Sequence, residues 1–389
     1  MSKSKGNIID PIDLIDGISL DDLLLKRTEG LMQPQLKDKI IKQTRKQFPD
    51  GIESYGTDAL RYTYYSLASP GRDINFDIGR IKGYRNFCNK LWNAARFIDL
   101  NIDNYGISKK RSETSIDAWI DYKFNQTVEK VDQSMNEFRF DLATKALYEF
   151  IWYEFCDWFI ELQKISLRKD DVNKAEIVRS LVDILEKTLR LAHPIMPFIT
   201  EEIWKQFQVH HNSTHESIMI SEYPVGSENT SEQDYQSVEW LKDIVSGIRN
   251  IRGELLIKPS IKISSIFKGG DELDKENLNQ ISSYIEQLCG LKDITWAEES
   301  SQDIPSSMFT RDNLKVMIPL EGLIDAKEEM QRLNKKISKL IQEKEMLGSK
   351  LSNKNFIENA PKQIIFKEKK KVSDAKEKIK ILERSLAAL

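Results

Sequence analysis

Residues 141–168, "DLATKALYEFIWYEFCDWFIELQKISLR", constrain the fold more than any other stretch. Read at helical spacing, their apolar and aromatic side chains cover most of the helix circumference, so a helix carrying them must be buried among others. Three partners are at hand. "SIDAWIDYKFNQTVEKVDQSMNEF" precedes it, while "KAEIVRSLVDILEKTLRLAH" and "MPFITEEIWKQF" follow, all at helical spacing and joined by short loops. The expectation for residues 115–208 is therefore a bundle with antiparallel neighbours. Within the long helix, the aromatics of "EFIWYEFCDWF" read as core and Cys156 as a small buried apolar residue. Asp157 and Glu161 read as contacts to neighbouring helices rather than as acid/base groups.

Upstream, the first 20 residues are rich in Gly and Asp, with short apolar pairs. "LKDKIIKQTRKQF" predicts a helix ended by Pro49 and Gly51, and "TDALRYTYYSLA" one capped by Thr57 and ended by Ser69, Pro70 and Gly71. "IKGYRNFCNKLWNAARFIDL" predicts another, with Phe87, Leu91, Ala94, Ala95 and Ile98 on its apolar face. A second stripe on that helix carries Asn86, Lys90, Asn93 and Phe97. Bases of single-stranded loops are read by stacking on aromatics and by hydrogen bonds to their edges. This stripe offers both, and Arg80 and Arg85 are available to backbone phosphate. Packing of Phe97 in the bundle, with Asn86 and Asn93 bonded to neighbouring helices, fits the spacing equally well.

Beyond a polar linker, "PVGSENTSEQ", the pattern changes. Helical "YQSVEWLKDIVSGIRNIRGELLI" and "KENLNQISSYIEQLCGL" alternate with strand-like "IKISSIF", "DITWA" and "LKVMIPL", which predicts a small α/β module. The last residues differ again. Met330, Leu333, Ile337, Leu340, Leu347 and Leu351 follow an a/d heptad broken only by Lys344, and Ile365, Val372, Ala375, Ile379, Leu382, Leu386 and Leu389 form a second series. Two such helices joined by a turn make an antiparallel hairpin, each arm roughly 33 Å long.

Charge separates this hairpin from the rest. Residues 324–389 hold 17 Lys and Arg against 10 Asp and Glu, a net of +7 in a chain of net −3, so the remainder stands at −10. A basic arm on an acidic body points to a polyanion such as nucleic acid. Lys335, Lys336, Lys339, Lys350, Lys354, Lys367, Lys369, Lys370 and Lys371 suit a surface that follows phosphates, with strong salt dependence and little sequence preference. An ordinary solvated coiled-coil flank is the plainer alternative. Three scattered cysteines (Cys88, Cys156, Cys289) without a C-x-x-C pair favour a reducing cytoplasm over a disulfide framework, and "HHNSTH" at 210–215 reads as a solvated loop, so no metal site is expected. No apolar run nears the roughly 20 residues that cross a bilayer.

The opening "MSKSKGN" packs two lysines and two serines ahead of a glycine. It resembles the K-M-S-K-S signature of class I aminoacyl-tRNA synthetases, without the leading lysine. "GTDALRY", "RNFCNKLWNAARF", "EFCDWFIE" and "HPIMPFITEEIW" resemble the class Ia group that serves valine, isoleucine and leucine. "GRDINFD", "IDPIDLIDGISLDDLLLKRTEGLMQPQL" and the basic hairpin resemble the bacterial valine-specific family. No Cys-rich zinc module of the isoleucine type is present.

The resemblance implies a mainly α protein: residues 1–25 from the end of the catalytic domain, 26–112 a stem-contact region, 113–222 an anticodon-binding helical bundle, 234–322 the α/β module and 324–389 a coiled-coil tRNA-binding arm. It implies that the intact enzyme joins valine to tRNA(Val) with ATP and Mg2+. Lys3, supported by Ser2, Ser4 and Lys5, would stabilise charge on the ATP phosphates. The family's H-I-G-H signature and editing domain are expected upstream of Met1, so this chain alone is expected to bind tRNA as a monomer, to hold no cofactor of its own and not to aminoacylate. The alternatives are a stand-alone RNA-binding protein and a coiled-coil scaffold.

Overall fold

In the computed structural model, residues 8–31, 33–71, 76–210, 215–226, 232–298, 304–320, 335, 337–342 and 344–349 are described. Two units divide the chain at Val238 and Glu239.

Among its described residues the first unit is built from helices, with one isolated β-bridge. Short helices α1 (Pro11–Asp16) and α2 (Leu20–Thr28) start at Asp10 and Ser19, whose side chains accept from Ile12 N and Asp22 N. Such caps satisfy donors that a helix start leaves open. Neither helix stands out in the sequence, because each is too short for its apolar pairs to show a period. Helix α3 (Lys37–Gln47) follows, as expected. Backbone bonds in both directions between Ile18 and Ile52, at 2.9 Å, tie this region together. Gly51 sits there at φ 83°, where a Cβ would meet Ile18 O at 2.3 Å, so only glycine fits.

Helix α4 (Thr57–Leu67) begins one residue away from the sequence expectation. Its cap is Gly56, and Thr57 is its first helical residue. The side chains that follow serve other elements. Asp58 accepts from Phe198 N (3.3 Å) and Ile199 N (2.6 Å), Arg61 donates to Ile195 O and Pro194 O, and Tyr62 Oη donates to Thr144 O at 2.6 Å. "GTDALRY" and "HPIMPFITEEIW" are thus the two halves of one latch. At its other side His193 Nδ1 meets Thr200 Oγ1 at 2.7 Å, and that oxygen also lies 2.7 Å from Met196 O. Burial lowers the His193 pKa and raises that of Asp58.

The bundle comprises α5 (Ile78–Tyr105), α6 (Ser115–Asn136), α7 (Phe140–Tyr148), a π-helical segment (Glu149–Phe159), α8 (Ile160–Ser166), α9 (Lys174–Ala192) and α10 (Pro197–Gln206). Helix α6 opens with a Thr114/Asp117 capping box and buries Ile116, Trp119, Ile120, Phe124 and Val131 on one face. The expected single helix through 141–168 is continuous, but its middle is wound with i→i+5 bonds rather than i→i+4. The apolar pairs explain the winding. Phe150–Ile151 and Phe155–Cys156 are five residues apart, which leaves them about 140° apart on an α-helix. The wider winding brings both pairs inward, and Phe150, Ile151, Phe155, Cys156 and Phe159 are all buried. Burial pushes the Cys156 thiol up to about 12, so it is an inert apolar group.

The second unit opens within α11 (Glu232–Glu254) and contains β1 (Ile263–Gly269), α12 (Glu272–Cys289), β2 (Leu291–Ala297), β3 (Ser306–Arg311) and β4 (Leu314–Pro319). The sheet order is β2-β1-β4-β3; β1 and β2 run parallel across α12, and the other pairs are antiparallel. Strand β3, "SSMFTR", lacked an alternating pattern in the sequence and is held by its hairpin with β4. Its Phe309 ring lies over Gly247 of α11, 2.4 Å from where a Cβ would stand. Gly247→Ala is expected to displace that ring and cost about 1–2 kcal/mol, read by thermal unfolding. Residues 335, 337–342 and 344–349 are helical. Ile337 is buried there and Leu340, Lys344 and Leu347 half-buried, while Lys335 and Lys339 are exposed.

Candidate nucleic-acid interface

Helix α5 meets the π segment along a column of rings. Fully buried Tyr62 lies 5.1 Å from Phe87, Phe87 lies 5.0 Å from Tyr148, and Tyr148 stacks on Trp152 at 5.5 Å with planes 9° apart. The column runs from the core to a half-buried indole. Lys90, one turn beyond Phe87, holds its ammonium 3.8 Å over the Trp152 ring and 2.5 Å from Asp157 Oδ1. Trp152 and Asp157 are five residues apart, so the π winding turns both toward Lys90. Tyr153 beside them is 49% exposed.

The expected stripe divides between two environments. Asn86 and Asn93 are exposed on α5; Lys90 and Phe97 are half-buried. Phe97 lies under Lys164 of α8, with Nζ 5.1 Å from its centroid. Arg80 is exposed, and Arg85 shares Glu53 with Lys82 at 3.6 and 3.9 Å. The resulting surface combines amide edges, two cations set over rings, and an aromatic face. These groups can hydrogen-bond a base edge, stack a base and neutralise a phosphate.

Trp152, Tyr148, Asp157 and Lys164 line this candidate surface without standing out in the sequence. At α spacing "EFIWYEFCDWF" reads as core throughout; the five-residue interval between its apolar pairs was the signal that Trp152 and Tyr153 lie elsewhere. Asp157 does reach a neighbouring helix, as expected, whereas Glu161 pairs with Lys164 on its own helix at 2.6 Å. Ser2, Lys3, Ser4 and Lys5 lie outside the described residues, as do Lys336, Lys350, Lys354, Lys367, Lys369, Lys370 and Lys371. Among the described residues no group of three or more His, Cys, Asp or Glu could hold a metal ion, and no helix is long and apolar enough to cross a membrane.

Three family models match. Residues 1–77 match the class I tRNA synthetases (I, L, M and V), residues 117–267 the anticodon-binding domain of tRNA ligase, and residues 325–389 the valyl tRNA synthetase tRNA binding arm. A valine–tRNA ligase of Francisella tularensis is 43% identical over 382 residues, covering 97% of this chain and 41% of the relative. One from Coxiella burnetii is 42% identical over 397 residues, covering 100% and 43%. The chain thus spans about two-fifths of the length of these curated relatives. A solved ternary complex of Agrobacterium radiobacter K84 agnB2 LeuRS with tRNA and LeuAMS is 16% identical at a TM-score of 0.33, over 52% of this chain and 24% of that one, too distant to carry an argument.

Proposed function

Because the chain belongs to the valine–tRNA ligase family, we propose that it is the tRNA-binding portion of such an enzyme, with the anticodon loop held against α5 and the π segment. The observation that carries this reading is the ring column ending in half-buried Trp152, flanked by Lys90 and by the exposed amides Asn86 and Asn93. Phe97 under Lys164 supplies a second ring, and Arg80 and Arg85 lie along the same helix for phosphate. The match of residues 325–389 to the tRNA binding arm supports backbone contact by Lys335, Lys336, Lys339, Lys350, Lys354, Lys369 and Lys370.

In the intact enzyme valine and ATP give valyl-adenylate and pyrophosphate, and the valyl group then passes to the terminal ribose of tRNA(Val). Lys3, with Ser2, Ser4 and Lys5, stabilises charge on the phosphates as the α-phosphorus is attacked, and supplies no nucleophile. ATP and Mg2+ enter as substrate and its counter-ion. The chain acts in the cytoplasm as a monomer.

A tRNA(Val) titration of the 389-residue chain over a range of salt tests this. Each neutralised phosphate adds roughly −0.7 to −0.9 to the slope of log affinity against log salt. Binding with a steep slope is expected, flattened by about 1–2 when Lys335 and Lys339 are both changed to Ala. Valine-dependent ATP–pyrophosphate exchange by this chain alone is expected to be absent. Failure to bind tRNA(Val) even at low salt sinks the proposal.

A further inference from the structure

We infer that Asp157 gates the RNA surface: it holds Lys90 over the Trp152 ring in the free protein and competes with RNA for that ammonium. The inference rests on the anticodon-loop reading above and adds a residue whose effect on binding runs opposite to that of the cations around it.

Geometry carries it. The Lys90 ammonium occupies a ring face that a base would otherwise meet, and it is held there by the Asp157 carboxylate at 2.5 Å. Both side chains keep access to water, with 23% of the Lys90 side chain and 46% of the Asp157 side chain exposed. The pair can therefore open without creating a buried charge. Lysine is a compact charge on a flexible stem, so the ammonium can swing from the carboxylate to a phosphate while staying attached to α5. A partly exposed ion pair is weak, which lets a polyanion win the exchange, yet the carboxylate left behind repels that polyanion. Asp157 is not needed to hold the indole, because Tyr148 stacks on Trp152 independently. The π winding places the carboxylate on the Trp152 side, where an α-helix would turn it away.

The test is a double-mutant cycle on the full chain. The probe is a synthetic RNA hairpin with the anticodon stem-loop sequence of tRNA(Val), followed by anisotropy. Asp157→Asn is expected to tighten binding about two- to five-fold, the range of a partly exposed ion pair. Lys90→Met is expected to weaken it. In the Lys90→Met background, Asp157→Asn is expected to tighten binding by clearly less than it does with Lys90 present, because only the repulsion of the unpaired carboxylate is relieved and no ammonium remains to release. Unchanged or weaker binding by Asp157→Asn alone overturns the gate. Equal tightening with and without Lys90 also overturns it, by reducing the effect to general charge relief. If the hairpin binds none of the four proteins, the anticodon-loop reading itself fails, a result separable from the other two.

Discussion

Asp58→Ala is expected to destabilise the helical unit by about 2–4 kcal/mol. Asp58 is 7% exposed and accepts from two backbone amides at the start of α10, Phe198 N and Ile199 N. Losing a cap costs about 0.5–2 kcal/mol, and the two part-buried donors, which water reaches in part, add some fraction of the roughly 1–3 kcal/mol that an unpaired buried donor costs. Desolvation of the carboxylate, which already raises its pKa, offsets part of that sum. The loss should be local before it is global. Hydrogen exchange over residues 194–206 is expected to rise first, because Arg61 and Asp58 grip that turn together. Asp58→Asn keeps one acceptor and is expected to cost less. A stability loss for Asp58→Ala below about 0.5 kcal/mol, the level of an ordinary surface change, would show that the latch is ornamental.

Trp152→Ala is expected to weaken binding of the anticodon stem-loop about 5- to 150-fold. Base–aromatic stacking contributes about 1–3 kcal/mol per base by alanine substitution, and each 1.4 kcal/mol is about tenfold in affinity. The indole is half-buried, so the variant must be separated from a folding defect. Trp152→Phe does this. It keeps a ring on the Tyr148 face and is expected to retain most of the affinity, whereas a folding defect would follow lost volume in both variants. Affinity for Trp152→Ala within about two-fold of wild type would remove the ring from the binding surface.

The bundle was legible because its constraint is collective. Ile120 and Phe124, and likewise Leu181 and Leu185, fall at helical spacing whatever their neighbours do, and all are buried. Helices α5, α6, α9 and α10 therefore stood out in the sequence, and β1, β2 and β4 did so through their apolar runs. What escaped depends on partners that a local pattern does not contain. The cap of α4 shifted from Thr57 to Gly56 because Asp58 and Arg61 are drawn to the α9–α10 turn, 133 to 141 residues away. Strand β3 exists because β4 pairs with it. At 3.6 residues per turn Trp152 falls among core positions, and the π segment does not obey that period. Of the α5 stripe, the sequence showed the residues but not the carboxylate and indole that face Lys90.

The ring column has an entropic consequence. A solvent-facing tryptophan normally samples several rotamers, and a base that settles on it must first select one. Here the Trp152 ring is locked through Tyr148 and Phe87 to Tyr62, which sits in the core with its hydroxyl on Thr144 O. The ordering of the ring is completed when the chain folds, so only the Lys90 side chain above it is left to move when RNA arrives. Association should then resemble the docking of a loop on a rigid shelf. Loosening the shelf from below, for instance by truncating Tyr148, should raise the dissociation rate without touching a single atom of the ligand.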